Sequence, residues 1–174
     1  GRGRFKSVYD ARVRKTKAYH TDKNAFLRQL SLDIAALKRK AAKLGLIPCV
    51  RLNGTSDIDW ENTGIMGLFP SVQFYDYTKI PTRAMQAAVS INWPSNYHIT
   101  YSASESTTNR LKAMLLAVGV NIATVMEQSQ FDAATMVDGT LHDLRFTDAP
   151  GRIAALWPKG AAKKDATGFV KRSA

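Results

Sequence analysis

Three ionisable side chains, Asp57, Lys79 and Glu105, each stand two to four residues beyond the end of a short apolar run, with Asn53, Ser56, Tyr77, Thr78 and Ser102 beside them. Two carboxylates, an amine and a set of hydroxyl and amide groups could orient a polar ligand or move a proton, provided the fold brings them together. Nothing in their local spacing does so; only topology can. Each acid also has a local reading: Asp57 could cap the helix that follows it, and Ser102 or Ser104 with Glu105 could form a capping box. Asp76, in FYDYTK, shares strand parity with apolar Phe74, so its carboxylate must find a hydrogen-bond partner or lie at the sheet's end. Arg51 points with Gln73, Tyr75 and Thr100 and needs an anion, either an internal carboxylate or a ligand. His98 faces the same side, and His142 beside Asp143 could act as a general acid or base. Both histidines also read as hydrogen-bonded structural groups. Neither has a second ligand at metal spacing, and no GxGxxG or Walker-type loop occurs.

The segments that must position these residues recur. IPCVRLNGTSD from Ile47, VQFYDYTK from Val72, YHITYSASE from Tyr97 and VNIATVME from Val120 are apolar runs with polar ends, roughly 25 residues apart. Parallel strands cannot be joined by tight hairpins, so a strand plus a crossover of this length suits a parallel βα sheet, whose ligands gather at the strands' carboxyl ends. Three of the runs keep one polar side: Cys49, Arg51 and Asn53; Gln73, Tyr75 and Tyr77; His98, Thr100 and Ser102. Strands of a doubly wound sheet are buried on both faces and read as unbroken apolar runs. The pattern therefore predicts a single α/β domain with a curved, mostly parallel βα sheet, partial TIM-barrel-like, its helices on the outer face and a polar cavity inside. The fourth run has no clear polar side.

Helices are expected over 58–69, interrupted by Gly64 and Gly67, over 82–89 and over 106–118. A further helix starts at its cap Asp22, repeats Phe26, Leu30, Ile34, Leu37, Ala41 and Leu44, and stops at Gly45. After Glu127 the period breaks down. Residues 131–137 read as loop or short helix, Asp138 opens a turn, LHDLRF from Leu141 reads as a strand and RIAALW from Arg152 as another.

Charge is unevenly placed. Residues 1–43 carry 13 Lys and Arg against three Asp, residues 44–150 six against ten acids, and residues 151–174 six against one, for a net +11. This divides the chain into a basic arm (1–20), a βα domain (21–157) and a basic tail (158–174). Clustered positive charge attracts polyanions, nucleic acid above all, and Arg2, Arg4, Lys6, Arg12, Arg14, Lys15, Lys17, Lys159, Lys163 and Lys164 are the candidates. A solvated basic face is the alternative, and Lys38, Arg39, Lys40 and Lys43 also suit the end of a helix dipole. At 174 residues, 45% of them hydrophobic, the chain can bury a sizeable core, and it has no span suited to a membrane. One cysteine, Cys49, precludes an internal disulfide and fits a reducing, cytoplasmic location. Gly1 stands where Met would, which raises the expectation of a trimmed or processed chain.

At VRLNGTSDIDWE, FPSVQFYDYTK, NYHITYSASE and VDGTLHDLRF, followed by KGAAKKDATGFV, the chain resembles the bacteriophage "gene product 88" domain family, in order and from Gly1 to Val170. The resemblance implies a phage or plasmid origin and so the host cytoplasm. It also implies a partial βα barrel akin to radical-SAM enzymes, with a cysteine cluster just upstream of a GRGRF-like segment. Cys49 does not correspond to that cluster, and one thiolate cannot hold it. An iron–sulfur cluster and S-adenosylmethionine are thus implied only if cysteines precede Gly1. The matched positions Arg51, Asn53, Asp57, Asp76, Tyr77, Lys79, Ser102, Glu105, Asp138, His142 and Asp143 are the pocket candidates. Three readings stand: a binder of nucleic acid or another polyanion through basic termini, with a polar pocket at the strand ends; a radical-SAM-like enzyme; and a small inhibitor of a host protein. No membrane partner is expected.

Overall fold

The helix expected after Asp22 is present, and another precedes it. In the computed structural model, which describes residues 5–172, α1 spans Lys6–Thr21 and α2 spans Lys23–Lys43, with Asp22 alone between them. Asp22 Oδ1 accepts the Ala25 N–H at 2.8 Å, satisfying one of the donors left free at the start of α2. At the other end Gly45 adopts φ 64°, its N–H meets Ala42 O at 3.2 Å, and Leu46 N–H meets Ala41 O at 2.9 Å. That paired closure needs a left-handed residue, which glycine supplies without strain. The first helix carries no apolar stripe and buries no side chain, so hydrophobic periodicity could not announce it. Tyr19 meets Phe26 edge-on at 5.6 Å, and α2 buries only Ile34 and Ala41.

These helices belong to a unit of residues Gly1–Pro48; the second unit, Cys49–Ala174, holds the sheet. Its elements run β1 (Cys49–Val50), a 3-10 turn (Trp60–Thr63), α3 (Ile65–Leu68), β2 (Gln73–Thr78), α4 (Pro81–Val89), β3 (Tyr97–Ser102), α5 (Asn109–Ala117), β4 (Asn121–Val125), β5 (Met136–Asp138) and β6 (Ile153–Leu156). The fold is α/β, with six strands, all parallel, in the order β1-β2-β3-β4-β6-β5. Pro81 opens α4, where a missing N–H costs nothing. The α5 cap is Thr108, whose Oγ1 accepts the Leu111 N–H at 3.1 Å. The capping box sought at Ser102 or Ser104 with Glu105 is not formed, because Thr107 Oγ1 instead takes the Ser104 N–H at 2.8 Å.

Strand parity separates two faces. Phe74, Asp76 and Thr78 on β2, with Tyr97, Ile99 and Tyr101 on β3, are buried on the side covered by α4 and α5. Arg51, Gln73, Tyr75, Tyr77 and His98 lie on the other side. Between β3 and β6, β4 is buried on both sides at Asn121, Ile122, Ala123 and Thr124, which explains its lack of a polar face.

Strand order reverses once, between β5 and β6. Right-handed crossovers that all advance in one direction share a face, whereas a reversed one must cross the opposite face. The connection 139–152 does so: its Phe146 packs on Tyr75 with ring centroids 5.4 Å apart, and Asp143 accepts the Tyr77 hydroxyl. The strand expected from Leu141 is therefore a correction. LHDLRF has alternating parity, but Leu141 is exposed and Arg145 is buried, the reverse of what a strand on this sheet would need. Its backbone turns into a 3-10 helix at Arg145–Thr147. Residues 136 and 137, expected as loop or short helix, and Asp138, expected to open a turn, supply the edge strand β5. Past Ser102 and Ala123, β3 and β4 part, and the tail fills the gap: Lys171 N–H meets Val125 O, and Glu127 N–H meets Lys171 O, both at 2.9 Å.

Candidate functional site

The carboxyl ends of β1, β2 and β3 gather two clusters, one on each face of the sheet. On the helix-covered face, Asn53 organises the loop that carries LNGTSDIDW. Its Oδ1 accepts from the Ser56 hydroxyl (2.8 Å), the Ile58 N–H (3.1 Å) and the Trp60 indole N–H (2.9 Å), while its Nδ2 donates to Ile58 O (3.0 Å). The Asn53 N–H in turn donates to Asp76 Oδ1 at 2.7 Å, and the Tyr97 hydroxyl donates to Asp76 Oδ2 at 2.8 Å. These two donors are the partners that strand parity demanded for a carboxylate beside Phe74.

The Tyr97 oxygen also accepts from Arg83 Nη2 at 2.9 Å. Arg83 grips Glu61 in a two-pronged bond of 2.9 and 2.7 Å and reaches Asp57 at 2.5 Å. The second Asp57 oxygen accepts from the Thr78 hydroxyl (2.8 Å) and the Lys79 N–H (3.0 Å). Asp57 thus bonds across to β2 and α4 rather than capping the turn that follows it.

Burial sets the electrostatics here. It pushes the Asp76 carboxyl up to about 6, against the pull of its Tyr97 and Asn53 donors. Burial, then the neighbouring Asp76 charge, raises the Tyr97 hydroxyl. It also works against the Arg83 charge, but Glu61, Tyr97 and Asp57 outweigh it and hold that guanidinium above its ordinary value.

On the other face, Arg51 pairs with Asp143 at 2.7 Å and lies 4.5 Å over the Tyr77 ring, whose hydroxyl donates to the second Asp143 oxygen at 2.7 Å. Burial and Asp143 raise the Tyr77 hydroxyl. His98 Nε2 lies 3.3 Å from Thr100 Oγ1, and burial, helped by Arg145, lowers its pKa to about 4, so the ring is neutral at pH 7. Arg145 is itself buried, pairs with Asp148 at 3.1 Å and donates to His142 O at 2.8 Å.

The fold thus gathers Asn53, Asp57 and Asp76 on one face, and Arg51, Tyr77 and Asp143 on the other, with His142 tied to the latter connection through Arg145. Lys79 joins the first cluster through its backbone N–H. Asp138 closes its own turn, accepting the Thr140 N–H (2.8 Å) and hydroxyl (2.6 Å). Among the described residues, Ser102 and Glu105 join neither cluster. Glu61, Arg83, Tyr97, Arg145 and Asp148 complete the networks, and composition did not single them out. One signal was available: Arg83 is the sole charge in the helix PTRAMQAAV. Chemically, both clusters are clasps, with each carboxylate held by fixed donors. Asp143 and Arg51 keep more solvent access than Asp57, Glu61 or Arg83, at 50% and 33% of the side chain. Among the described residues no group of three His, Cys, Asp or Glu is placed to hold a metal ion.

The basic candidates sit differently. Lys6, Arg12, Arg14, Lys15 and Lys17 lie on α1; Arg2 and Arg4 fall outside the described residues. The same unit adds Lys23, Arg28, Lys38, Arg39, Lys40 and Lys43 on α2. All of these described side chains but Arg12 are exposed, and among the described residues only Lys6 forms a salt bridge, with Asp10 at 2.7 Å. Lys159, Lys163 and Lys164 are exposed around a 3-10 turn, Gly160–Lys164, before the tail closes on Glu127 through Arg172 at 2.8 Å. No helix among the described residues is long and apolar enough to cross a membrane.

A comparison with curated proteins and with solved structures returns no match. The family model described as Gene product 88, a phage gene product, matches residues 1–173, and the chain belongs to that family.

Proposed function

We propose that this chain binds nucleic acid through the basic helix pair of residues 6–43, with Lys159, Lys163 and Lys164 as a second, smaller basic patch. One observation carries the reading: the cations of the helix pair are exposed and, Lys6 excepted, lack acidic partners among the described residues. Releasing the counterions condensed on a phosphate backbone rewards side chains of this kind and requires no base-specific contact. An α-helix the length of α2 runs about 30 Å, enough to follow several successive phosphates.

The test is fluorescence anisotropy with labelled single- and double-stranded oligonucleotides across a salt series. For about five phosphate contacts, affinity should fall roughly 10²–10³-fold between 50 and 200 mM salt. Reversing Lys15, Lys17, Arg39 and Lys40 to Glu should flatten that slope by more than the removal of four contacts alone, without changing the melting temperature of the sheet unit. Absence of a complex at the lowest salt, or affinity unmoved by the reversal, overturns the proposal.

A further inference from the structure

A cavity of about 350 Å³ opens at the amino-terminal edge of β2 and β3, walled by Gln73, Ser90, Trp93, Ser95, His98 and Phe146. Tyr97, whose hydroxyl belongs to the Asp76 and Arg83 network, also lines it, and among the described residues no Lys, Arg, Asp or Glu does. Its aromatic walls are fixed in advance. The Trp93 ring stacks on Tyr97 at an interplanar angle of 13°, and its N–H donates to Tyr97 O at 2.8 Å. Phe146 is braced against Tyr75. A ligand that meets rings already held in this way has little ordering left to impose, which lowers the cost of binding.

The polar groups on these walls are uncharged and of both kinds. Gln73 uses its amide hydrogens on Phe74 O (2.8 Å) and Asn96 O (3.1 Å), which leaves its side-chain oxygen as an acceptor. Among the described residues the Ser95 hydroxyl has no partner. His98, whose pKa burial lowers to about 4, is a neutral imidazole; its Nε2 meets Thr100 Oγ1 at 3.3 Å, which leaves Nδ1 for a ligand, as donor or acceptor according to the tautomer. Two ordered aromatic rings set among neutral donors and acceptors suit a planar heteroaromatic ring, and this volume lies at the small end of ligand sites. A charged group would find no counter-charge here.

We propose that this cleft binds an uncharged nucleobase, carried either by a free nucleoside or by an unpaired nucleotide of a strand. The inference stands on the cleft alone and does not require the helix pair to bind nucleic acid.

The experiment titrates the full chain with adenosine, guanosine, cytidine and uridine, read by calorimetry and ligand-observed NMR, and in parallel with a single-stranded oligonucleotide. Phe146→Ala removes one wall, and Ala87→Phe fills the cleft from α4; circular dichroism and melting confirm that each variant is folded. Saturable binding of at least one nucleoside, about tenfold weaker in Phe146→Ala and lost in Ala87→Phe, is the expected result. If only the oligonucleotide weakens in Ala87→Phe, the base arrives in a strand. If neither probe responds to Ala87→Phe, the proposal is wrong, and a salt-dependent oligonucleotide complex that remains in that variant belongs to the helix pair.

Discussion

In the sheet unit, Arg51, Arg83, Arg145 and Arg172 each meet a carboxylate at 3.1 Å or less; among residues 5–43, Lys6 alone does. The units differ in core as well. Phe74, Ile65, Met66, Leu115 and Ile122 are fully buried in one, while the helix pair buries Ile34 and Ala41 and leaves Leu32, Leu37 and Leu44 exposed. Positive charge therefore has two meanings in one chain. Where it is matched it ties a helix, a connection or the tail to its neighbours, and where it is exposed and unmatched it is available to a partner. Composition alone, a net +11, averages these roles and conceals both.

The comparison breaks most readily at Arg83, which is 3% exposed and bound to Glu61, Asp57 and Tyr97. Replacing it with Met leaves two carboxylates and a hydroxyl without their shared donor. Removing one partner of a buried pair costs about 3–5 kcal/mol. Thermal denaturation should show the sheet unit melting about 10 °C lower, with the salt slope of nucleic-acid binding unchanged. A melting temperature within experimental error of the parent would mean that the clasp does not hold the strands.

A second, smaller effect follows from Asp76. Its carboxyl is raised from an ordinary 3.8 to about 6 in the folded chain, so between those values the folded state holds a proton that the unfolded state has released. Stability then falls as pH rises through that window, because ∂ΔG/∂pH follows the protons bound in the unfolded state minus those in the folded state. The span is worth about 2–3 kcal/mol, present below pH 4 and gone above pH 6. Asp76→Asn should remove this slope. Chemical denaturation of parent and variant from pH 4 to 7 checks it, and parallel pH profiles for the two proteins would refute the assignment.

Much of this was legible in the sequence, for physical reasons that differ by residue. Strand parity put Asp76 on the helix side with Phe74 and demanded a partner for it, and the structure supplies Asn53 and Tyr97. Arg51 was expected to need an anion, and Asp143 provides it 92 residues away. Run spacing pointed to a mostly parallel sheet, and the structure makes every pairing parallel; α2 followed from Asp22 and Gly45. Helix α1 was not visible because it buries nothing, and hydrophobic periodicity records only burial. Pairings such as Arg83 with Glu61 were hidden because a charge within an apolar helix reads the same whether it faces solvent or a buried acid. LHDLRF misled because the alternation of a strand also arises in a segment whose buried member is an arginine with its own ion pair.

The smallest effect separates the units most finely. Asp22 and Thr108 perform the same task, each accepting a backbone N–H at the start of a helix, at 2.8 and 3.1 Å. Replacing either with Ala costs about 1 kcal/mol of helix stability. The consequences should diverge. The α5 helix packs on β4 and buries Leu115, so Thr108→Ala should lower the cooperative melt of the sheet unit by a few degrees while amide protection in α5 persists. The α2 helix has two buried side chains to hold its 21 residues, so Asp22→Ala should appear chiefly as faster amide exchange over its first turns, with the main melt little changed. Equal losses of local protection in the two variants would mean that the helix pair is as firmly packed as the sheet, and nucleic-acid affinity in Asp22→Ala would then match the parent's. If α2 does fray, an anionic strand laid along it restores protection by mass action, and the exchange difference closes as oligonucleotide is added.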